Sequence, residues 1–168
     1  MSIVSVDKDF DNLSLIMVAE FDVPIERVWQ LWADPRQLER WWGPPTHPAT
    51  VEKHDLVAGG EVTYFMTDPD GRTSRGWWRV TSVDPPRSLE FTDGFANQDG
   101  TPKVEMPTTE AQVRLTEQDG RTRVELRFIF ESRGHMEQLE RWGAFELFPQ
   151  SVAQMDAVLS DSSAQEAL

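Results

Sequence analysis

The strongest constraint on the fold is the order in which the spacing of apolar residues changes along the chain. Between about residues 61 and 130, apolar and polar residues alternate in short runs, as is typical of strands with one buried and one solvated face. From about Gly134 to Ser160, large apolar residues recur every three or four positions, which predicts one long amphipathic helix. Sequential hairpins favour an antiparallel sheet, and helices collected on one face make the fold α+β.

The N-terminal part predicts one strand and two short helices. Residues 11–21 are rich in β-branched and apolar residues and form the first predicted strand. After Pro24, apolar residues at helical spacing predict a helix that ends near Trp32. The sequence DPRQ (34–37) resembles a capping box that opens a second helix. GPP (43–45) ends this helix, because proline cannot donate a hydrogen bond to the helix ladder.

Glycine and proline mark the expected interruptions in the later part of the chain. PDGR (69–72) predicts a hairpin turn between two strands. Residues 93–107 are rich in glycine, proline and polar residues and are predicted to form a long loop. Pro149 lies within the C-terminal helical pattern, where it removes the hydrogen bond to the Phe145 carbonyl. We therefore expect it to interrupt and kink that helix.

The chain of 168 residues is predicted to form a single domain. We expect an N-terminal segment at residues 1–10, one domain at residues 11–160 and a disordered polar tail at residues 161–168. No internal repeat or linker divides the chain.

Composition and charge exclude several classes of function. The chain has no cysteine, which excludes disulfides, thiolate catalysis and cysteine-based metal sites. A formal net charge of −13 opposes binding to nucleic acid and to anionic membranes. No stretch approaches the ~18 apolar residues of a membrane span. The first residues lack the pattern of a secretory signal, so we expect a cytoplasmic protein.

Several motifs occur in an order that resembles one known family. FDVPIERVWQLWADPRQLERWWGPP (21–45) is similar to the family's N-terminal signature. DLVAGG (55–60), DPDG (68–71) and VDPPRSLEFT (83–92) follow in the same order, before the long helix. Over roughly residues 12–160, the chain resembles the bacterial family similar to the C-terminal domain of activators of the heat-shock protein 90 ATPase. This family belongs to the START-like, or SRPBCC, superfamily.

The resemblance implies a helix-grip fold, in which a curved antiparallel β-sheet wraps around a long C-terminal helix. Two short helices follow the first strand in this arrangement, and the enclosed cavity often takes hydrophobic small molecules. Members include lipid carriers, polyketide cyclases, sensors and co-chaperone domains, so the resemblance implies little about chemistry. Where relatives usually carry Gly-Trp in the long helix, this chain has Phe148-Pro149. The ligand class of relatives therefore does not transfer to this chain.

The motifs of known catalytic and metal sites are absent from the sequence. No GxSxG, P-loop, GxGxxG or HExxH pattern occurs, and neither a metal nor a cofactor is predicted. The three histidines lack metal-ligand spacing and are expected at the surface or at strand edges: His47, His54 and His135. Three carboxylates near the C-terminal helix are expected to form a solvated face: Glu131, Glu137 and Glu140.

The aromatic residues are the best candidates for a functional site. Seven tryptophans and nine phenylalanines accompany a single tyrosine, Tyr64, which would serve as a polar anchor in an apolar pocket. Adjacent Trp41 and Trp42 cannot point the same way, so one is expected to pack inward and the other to face the rim. Trp78 is expected to point inward. The predicted cavity-lining residues are Trp32, Trp41, Trp42, Tyr64, Met66, Trp78, Phe91, Phe128, Trp142, Phe145 and Phe148.

Three functions remain open at this point. The first is a non-enzymatic binding module, monomeric or homodimeric, that holds an apolar small molecule in the cavity. The second is a co-chaperone-like module of the stress response that acts on the heat-shock protein 90 chaperone, for which the support is the resemblance alone. The third is a polyketide cyclase-like enzyme that works mainly by folding its substrate, with Tyr64 as the candidate for proton transfer.

Overall fold

The computed structural model describes residues 3–161, which form an eight-stranded antiparallel sheet and five helical segments. The strands are β1 (Ile3–Asp9), β2 (Ser14–Phe21), β3 (Ala49–His54), β4 (Glu61–Thr67), β5 (Thr73–Asp84), β6 (Ser88–Ala96), β7 (Thr109–Gln118) and β8 (Arg121–Phe130). The helices are α1 (Ile25–Ala33), α2 (Pro35–Trp41), α3 (Arg133–Arg141), α4 (Ala144–Ala153) and α5 (Met155–Ser160). The predicted α+β helix-grip fold is confirmed.

The order of the strands explains where the helices lie. Along the sheet the order is β1-β2-β8-β7-β6-β5-β4-β3, so β3 to β8 form one continuous meander. The chain leaves β2 and must cross to the far edge to begin β3, and α1 and α2 span this crossing. After β8, the chain returns over the same face through α3, α4 and α5. The sheet thus presents one face to all five helical segments and its other face to solvent.

The N-terminal segment contributes a strand that the sequence did not predict. Residues Ile3–Asp9 form β1, which pairs antiparallel with β2, so the two short helices follow the second strand of the sheet. The irregular burial of β1 explains the missed prediction, because Val4 and Val6 are both exposed and no buried face alternates along the strand. Of the predicted disordered tail, residues 162–168 lie outside the described residues.

The C-terminal helical region is divided into three segments, and the prediction of one continuous helix kinked at Pro149 is wrong in this detail. Pro149 lies inside α4, which continues past it. The first break falls at Gly143, whose φ of 77° is a left-handed conformation that glycine adopts without steric cost. The second falls at Gln154, between α4 and α5. The left-handed conformation of Gly143 changes the direction of the backbone and ends the helix. Pro149 removes only one hydrogen bond, and α4 continues past it.

The predicted loop at residues 93–107 begins too early. Strand β6 continues to Ala96, and its residues pair with β5 up to the partners Arg75 and Ala96. Tertiary pairing overrides the weak strand propensity of aspartate and glycine at this position. Asp93 therefore lies on the inward face of a strand, in register with Trp78.

A buried polar contact joins the helices above the sheet. Arg27 on α1 is 2% exposed, and its guanidinium donates to Gln37 Oε1 on α2 at 2.8 Å and to the Val158 carbonyl on α5 at 2.9 Å. Asp34 caps α2 as predicted, accepting from the backbone N–H of Arg36 at 2.9 Å. These contacts hold the N-terminal helices against the C-terminal region.

Candidate functional site

A cavity of about 440 Å³ lies between the inner face of the sheet and the C-terminal helical region. Strands β2 and β4 to β8 form its floor, α3 and α4 cover it, and the end of α2 closes one side. Most of its lining is apolar. Phe95 is 39% exposed and Trp142 is 53% exposed, and both line the cavity, so they mark its opening to solvent.

Most of the predicted site residues meet at this cavity. Trp41 is 2% exposed and donates its indole N–H to the Leu31 carbonyl at 2.8 Å, whereas Trp42 is half-buried. The adjacent pair therefore divides into a buried and a more accessible ring, as the sequence predicts. The predicted residues that line the cavity are Trp41, Trp42, Tyr64, Met66, Phe128, Trp142 and Phe148.

Four predicted residues do not line the cavity. Trp78 stacks on Phe91 with ring centroids 3.8 Å apart, and both are at most 1% exposed. Trp32 is fully buried and packs edge-on against Trp41. Phe145 packs against Phe130 at 5.8 Å instead of facing the cavity. We call Trp32, Trp78 and Phe91 the packed cluster.

Trp42 forms the border between the packed cluster and the cavity. Its ring lies edge-on to Trp78 at 4.8 Å and to Phe91 at 6.1 Å, and it also contacts Tyr64 at 5.9 Å. Edge-to-face contacts of this kind stabilise the arrangement of the rings beyond the area they bury. The position of the cavity wall thus depends on the packing of the core beneath it.

A hydrogen bond between Tyr64 and Asp93 is the main polar contact in the cavity. The Tyr64 hydroxyl donates to Asp93 Oδ1 at 2.8 Å, and both residues line the cavity. Tyr64 lies on β4 and Asp93 on β6, so the phenol ring must pass over the intervening strand β5. It does so at Gly76, the cross-strand partner of Tyr64, where an added Cβ would overlap the hydroxyl. Glycine is required here by close approach of a ring.

Burial changes the titration of both groups in this pair. It raises the pKa of Asp93 to about 7, against a partial opposing effect of the Tyr64 hydrogen bond. It also raises the pKa of Tyr64 well above its usual range, and the nearby Asp93 charge adds to this effect. Tyr64 therefore remains a donor at neutral pH. Asp93 could exchange a proton with a molecule in the cavity near neutral pH, a role that the sequence assigned to Tyr64.

One of the three histidines is more buried than predicted, whereas His54 lies on the edge strand β3 as expected. His135 is 6% exposed and lines the cavity, so its predicted surface position is wrong. Its backbone N–H is bound by Ser132, which caps α3, and this places the ring against Phe130. Burial lowers the pKa of His135. His47 is half-buried at the cavity, and His54 lies 2.9 Å from the Trp32 carbonyl through Nε2.

The described part of the chain gives no metal centre. Within residues 3–161, no three potential metal ligands of the His, Cys, Asp or Glu types come together. Over the same residues, no helix combines the length and the apolar character needed to cross a bilayer.

Asp93 is the residue that the sequence analysis missed. The sequence predicts a loop here because DG and the following polar residues are typical of turns. The signal that would have found it is the alternation of Leu89, Phe91 and Asp93, which continues the inward face of β6 by one more step. Aspartate at an inward strand position is unusual enough to indicate a buried polar contact.

Comparison with known proteins gives consistent matches over most of the chain. A family model described as Activator of Hsp90 ATPase homolog 1-like protein matches residues 22–160. A solution structure of a protein from Arthrobacter aurescens is 49% identical, with a TM-score of 0.90, over 95% of this chain and 92% of that chain. No match was found among curated proteins.

Two further solved structures extend this comparison. The crystal structure of protein Ms6760 from Mycobacterium smegmatis is 45% identical, with a TM-score of 0.85, over 94% of this chain and 97% of that chain. The AHSA1 protein from Silicibacter pomeroyi is 24% identical, with a TM-score of 0.69, over 88% of this chain and 97% of that chain. At that identity the second likeness concerns the fold alone.

Proposed function

The chain belongs to the family of Activator of Hsp90 ATPase homolog 1-like proteins, and we propose that it is a non-enzymatic module that binds an apolar small molecule in its cavity. The observation that carries the proposal is the cavity itself. Its volume of about 440 Å³ falls within the roughly 300–1,000 Å³ of small-molecule sites. Its lining combines many apolar side chains with a few polar groups, which is the usual composition of such sites.

The distribution of the aromatic residues supports the same proposal. The packed cluster buries its rings fully, as a core does, whereas Phe148 and Trp142 keep accessible surface at the cavity. When a ligand covers large apolar side chains on a concave surface, removing them from water lowers the free energy by about 25 cal/mol per Å² of apolar surface buried. A ligand of apolar character would therefore be favoured over water in this cavity.

The test is a thermal-shift screen with fatty acids, sterols, flavonoids and polyketide-like aromatics as probes. A ligand at one hundred times its dissociation constant stabilises the folded protein by about 2.7 kcal/mol, which raises the melting temperature of such a domain by about 5–10 °C. We expect a clear rise with one chemical class. No rise with any of the four classes would contradict the proposal.

A cavity-filling variant locates the binding. Ala144 lines the cavity at the start of α4, whereas Ala153 at the end of the same helix does not. Ala144→Phe should reduce the thermal shift to less than half, because the new ring occupies ligand volume. Ala153→Phe is the matched control and should keep the shift. An equal shift in wild type and Ala144→Phe would place the binding outside this cavity and contradict the proposal.

A second candidate function follows from the description of the family, which names an activator of the Hsp90 ATPase. In this alternative the chain binds the chaperone through its surface, and the cavity is secondary. A chaperone ATPase assay with excess protein tests it. Acceleration that persists in Ala144→Phe would favour the co-chaperone role, whereas an unchanged rate would count against it.

A further inference from the structure

Among the described residues, no cationic side chain pairs with the Asp93 carboxyl group. Nothing in residues 3–161 forms an ion pair with it, and burial and the Tyr64 hydroxyl alone account for its shifted titration. One carboxylate oxygen accepts the Tyr64 hydrogen bond. Carboxylates in apolar surroundings are normally paired, because an unpaired buried charge is costly. A ligand with a positive charge would supply the missing partner of this carboxyl group in the cavity.

Among the described residues, none of the other titratable side chains at the cavity forms an ion pair with Asp93. Arg75 lines the cavity, but its guanidinium pairs with Glu52 and lies over the Phe65 ring at 5.1 Å. Tyr64 and Gly76 are cross-strand partners on the cavity face. Phe65 and Arg75 form the next pair along the same strands, so their side chains point to the opposite face of the sheet. Burial keeps His135 neutral by lowering its pKa. His47 is the remaining titratable group there, and its Nδ1 lies 2.8 Å from Thr46 Oγ1.

We propose that the cavity selects molecules with a basic nitrogen, which binds as an ammonium group against the Asp93 carboxylate while the apolar body occupies the rest of the cavity. This inference rests on the proposed function and names the ligand class for the same site. The aromatic rings of Tyr64 and Trp42 line the cavity beside this carboxylate and attract cations through their faces. The net charge of −13 also favours the approach of a cation over that of an anion.

The binding step is an ion pair with no covalent change. At a pH below about 7 the Asp93 carboxyl group carries a proton, which it must release to solvent before it can pair with an ammonium group. Binding of the cation then favours the ionised carboxylate and lowers its pKa. The affinity for an amine should therefore rise as the pH increases from 6 to 8, whereas the affinity for a neutral molecule should not change with the titration of Asp93.

The experiment measures calorimetric affinities for three probes that share one apolar body: 2-naphthylmethylamine, 2-naphthalenemethanol and 2-naphthoate. At pH 8 we expect the amine to bind about tenfold or more tightly than the alcohol, as charge-assisted hydrogen bonds do. The carboxylate should bind most weakly. Equal affinities for the three probes, or a preference for the alcohol or the carboxylate, would overturn the inference and leave the proposed function standing. Failure of all three to bind would count against both.

Two variants separate the local carboxylate from the overall charge. Asp93→Asn should reduce the preference for the amine to within about twofold of the alcohol and remove the pH dependence. Glu90→Gln is the matched control, because it removes the same charge from the same strand at an alternate position, on the other face. It should keep the preference. If Asp93→Asn retains the preference, or if both variants lose it equally, the inference is wrong.

Tyr64 acts here as a positioning residue, and its variant provides a separate readout. The Tyr64 hydrogen bond lowers the pKa of Asp93, so Tyr64→Phe should raise that pKa further. The pH at which amine affinity rises should then move upward. An unchanged pH profile in Tyr64→Phe would show that the carboxylate at Asp93 is not the group that binds the amine.

Discussion

The packed cluster and the cavity wall are built from the same kinds of residue at neighbouring positions, but they differ in how their rings meet. Trp78 and Phe91 stack at 3.8 Å with an angle of 17° between ring planes, and neither is more than 1% exposed. At the cavity wall, Phe128 and Phe148 meet at 5.5 Å with an angle of 30°, and Phe148 keeps accessible surface. Ring packing supplies stability in the first region, whereas the second retains volume that a ligand can fill.

The elements that cover the two regions also differ. The helices α1 and α2 are joined by buried hydrogen bonds, from Arg27 to Gln37 and from the Trp41 indole to the Leu31 carbonyl. Over the cavity, the helical region is broken at Gly143, so α3 and α4 do not form one straight rod. If the two regions have these distinct roles, substitutions in the packed cluster should mainly reduce stability, and substitutions in the cavity wall should mainly change ligand binding.

The largest effect is expected for truncation in the packed cluster. Trp78→Ala should lower the free energy of unfolding by about 3–5 kcal/mol, because it removes a fully buried ring and leaves a void. Phe148→Ala should cost less than about 1.5 kcal/mol, because the ring is already next to open volume. Urea unfolding of both variants measures the difference.

Trp78→Phe is the matched control for this pair. It keeps a ring against Phe91 and removes an indole N–H that has no acceptor within residues 3–161. Its loss should be well below that of Trp78→Ala. Equal losses for Trp78→Ala and Phe148→Ala would show that the two regions are packed equally, contrary to the comparison.

An intermediate effect is expected at the glycine beneath Tyr64. Gly76→Ala places a methyl group where the Tyr64 hydroxyl lies, so it should cost about 1–3 kcal/mol and displace Tyr64 from Asp93. Gly94→Ala is a matched change that would overlap Trp77 instead. Both should destabilise in urea unfolding, and Gly76→Ala should alter the titration of Asp93, followed by carboxyl NMR, more than Gly94→Ala does, because it displaces the Tyr64 hydroxyl. An Asp93 titration that is unchanged by Gly76→Ala would contradict the assigned contact.

The smallest effect is a pH-dependent one at Asp93. The carboxyl pKa is about 7 in the folded protein and 3.8 ordinarily, so between these values the folded state binds more protons than the unfolded state. Wild-type stability due to this group therefore falls as the pH rises from about 4 to 7. The asparagine in Asp93→Asn does not titrate, so the stability of this variant relative to wild type should increase over this window. The expected increase is about 1–2 kcal/mol, because partial solvent contact of the carboxyl group reduces the effect of the pKa difference.

Urea unfolding at pH 5 and pH 8 checks this expectation. The stability difference between Asp93→Asn and wild type should be larger at pH 8, and it should change little above that pH. A difference that is the same at both pH values would mean that the carboxyl group titrates in its ordinary range. Asp93 would then titrate like a carboxylate on the protein surface, and the cavity would not be a distinct environment for this group.

Local patterns predicted most of the fold and part of the site. Alternating residues in the later strands and the cap at Asp34 depend on neighbours within a few positions, so they can be read from the sequence. The same holds for the inward direction of Trp78, which follows from strand alternation alone. Strand β1 was missed because its exposed valines show no alternating buried face.

Some features depend on residues that lie far apart in the chain. Trp78 and Met66 both point inward, yet the first is stacked in the core and the second lines the cavity. Alternation indicates the face on which a side chain lies but gives no information about what covers that face. The residues packed against each side chain decide that outcome: Trp42 and Phe91 cover Trp78, whereas Met66 borders open volume.

The sequence by itself determined the fold class, the later strands and the inward direction of Trp78, because these follow from local periodicity and turn chemistry. The tertiary structure alone decided which rings are packed, where volume remains and that Tyr64 reaches Asp93 across Gly76. That contact joins residues 29 positions apart on strands that are not neighbours in the sheet. The physical reason is that cavities and buried hydrogen bonds arise from the docking of distant segments, which no local pattern encodes.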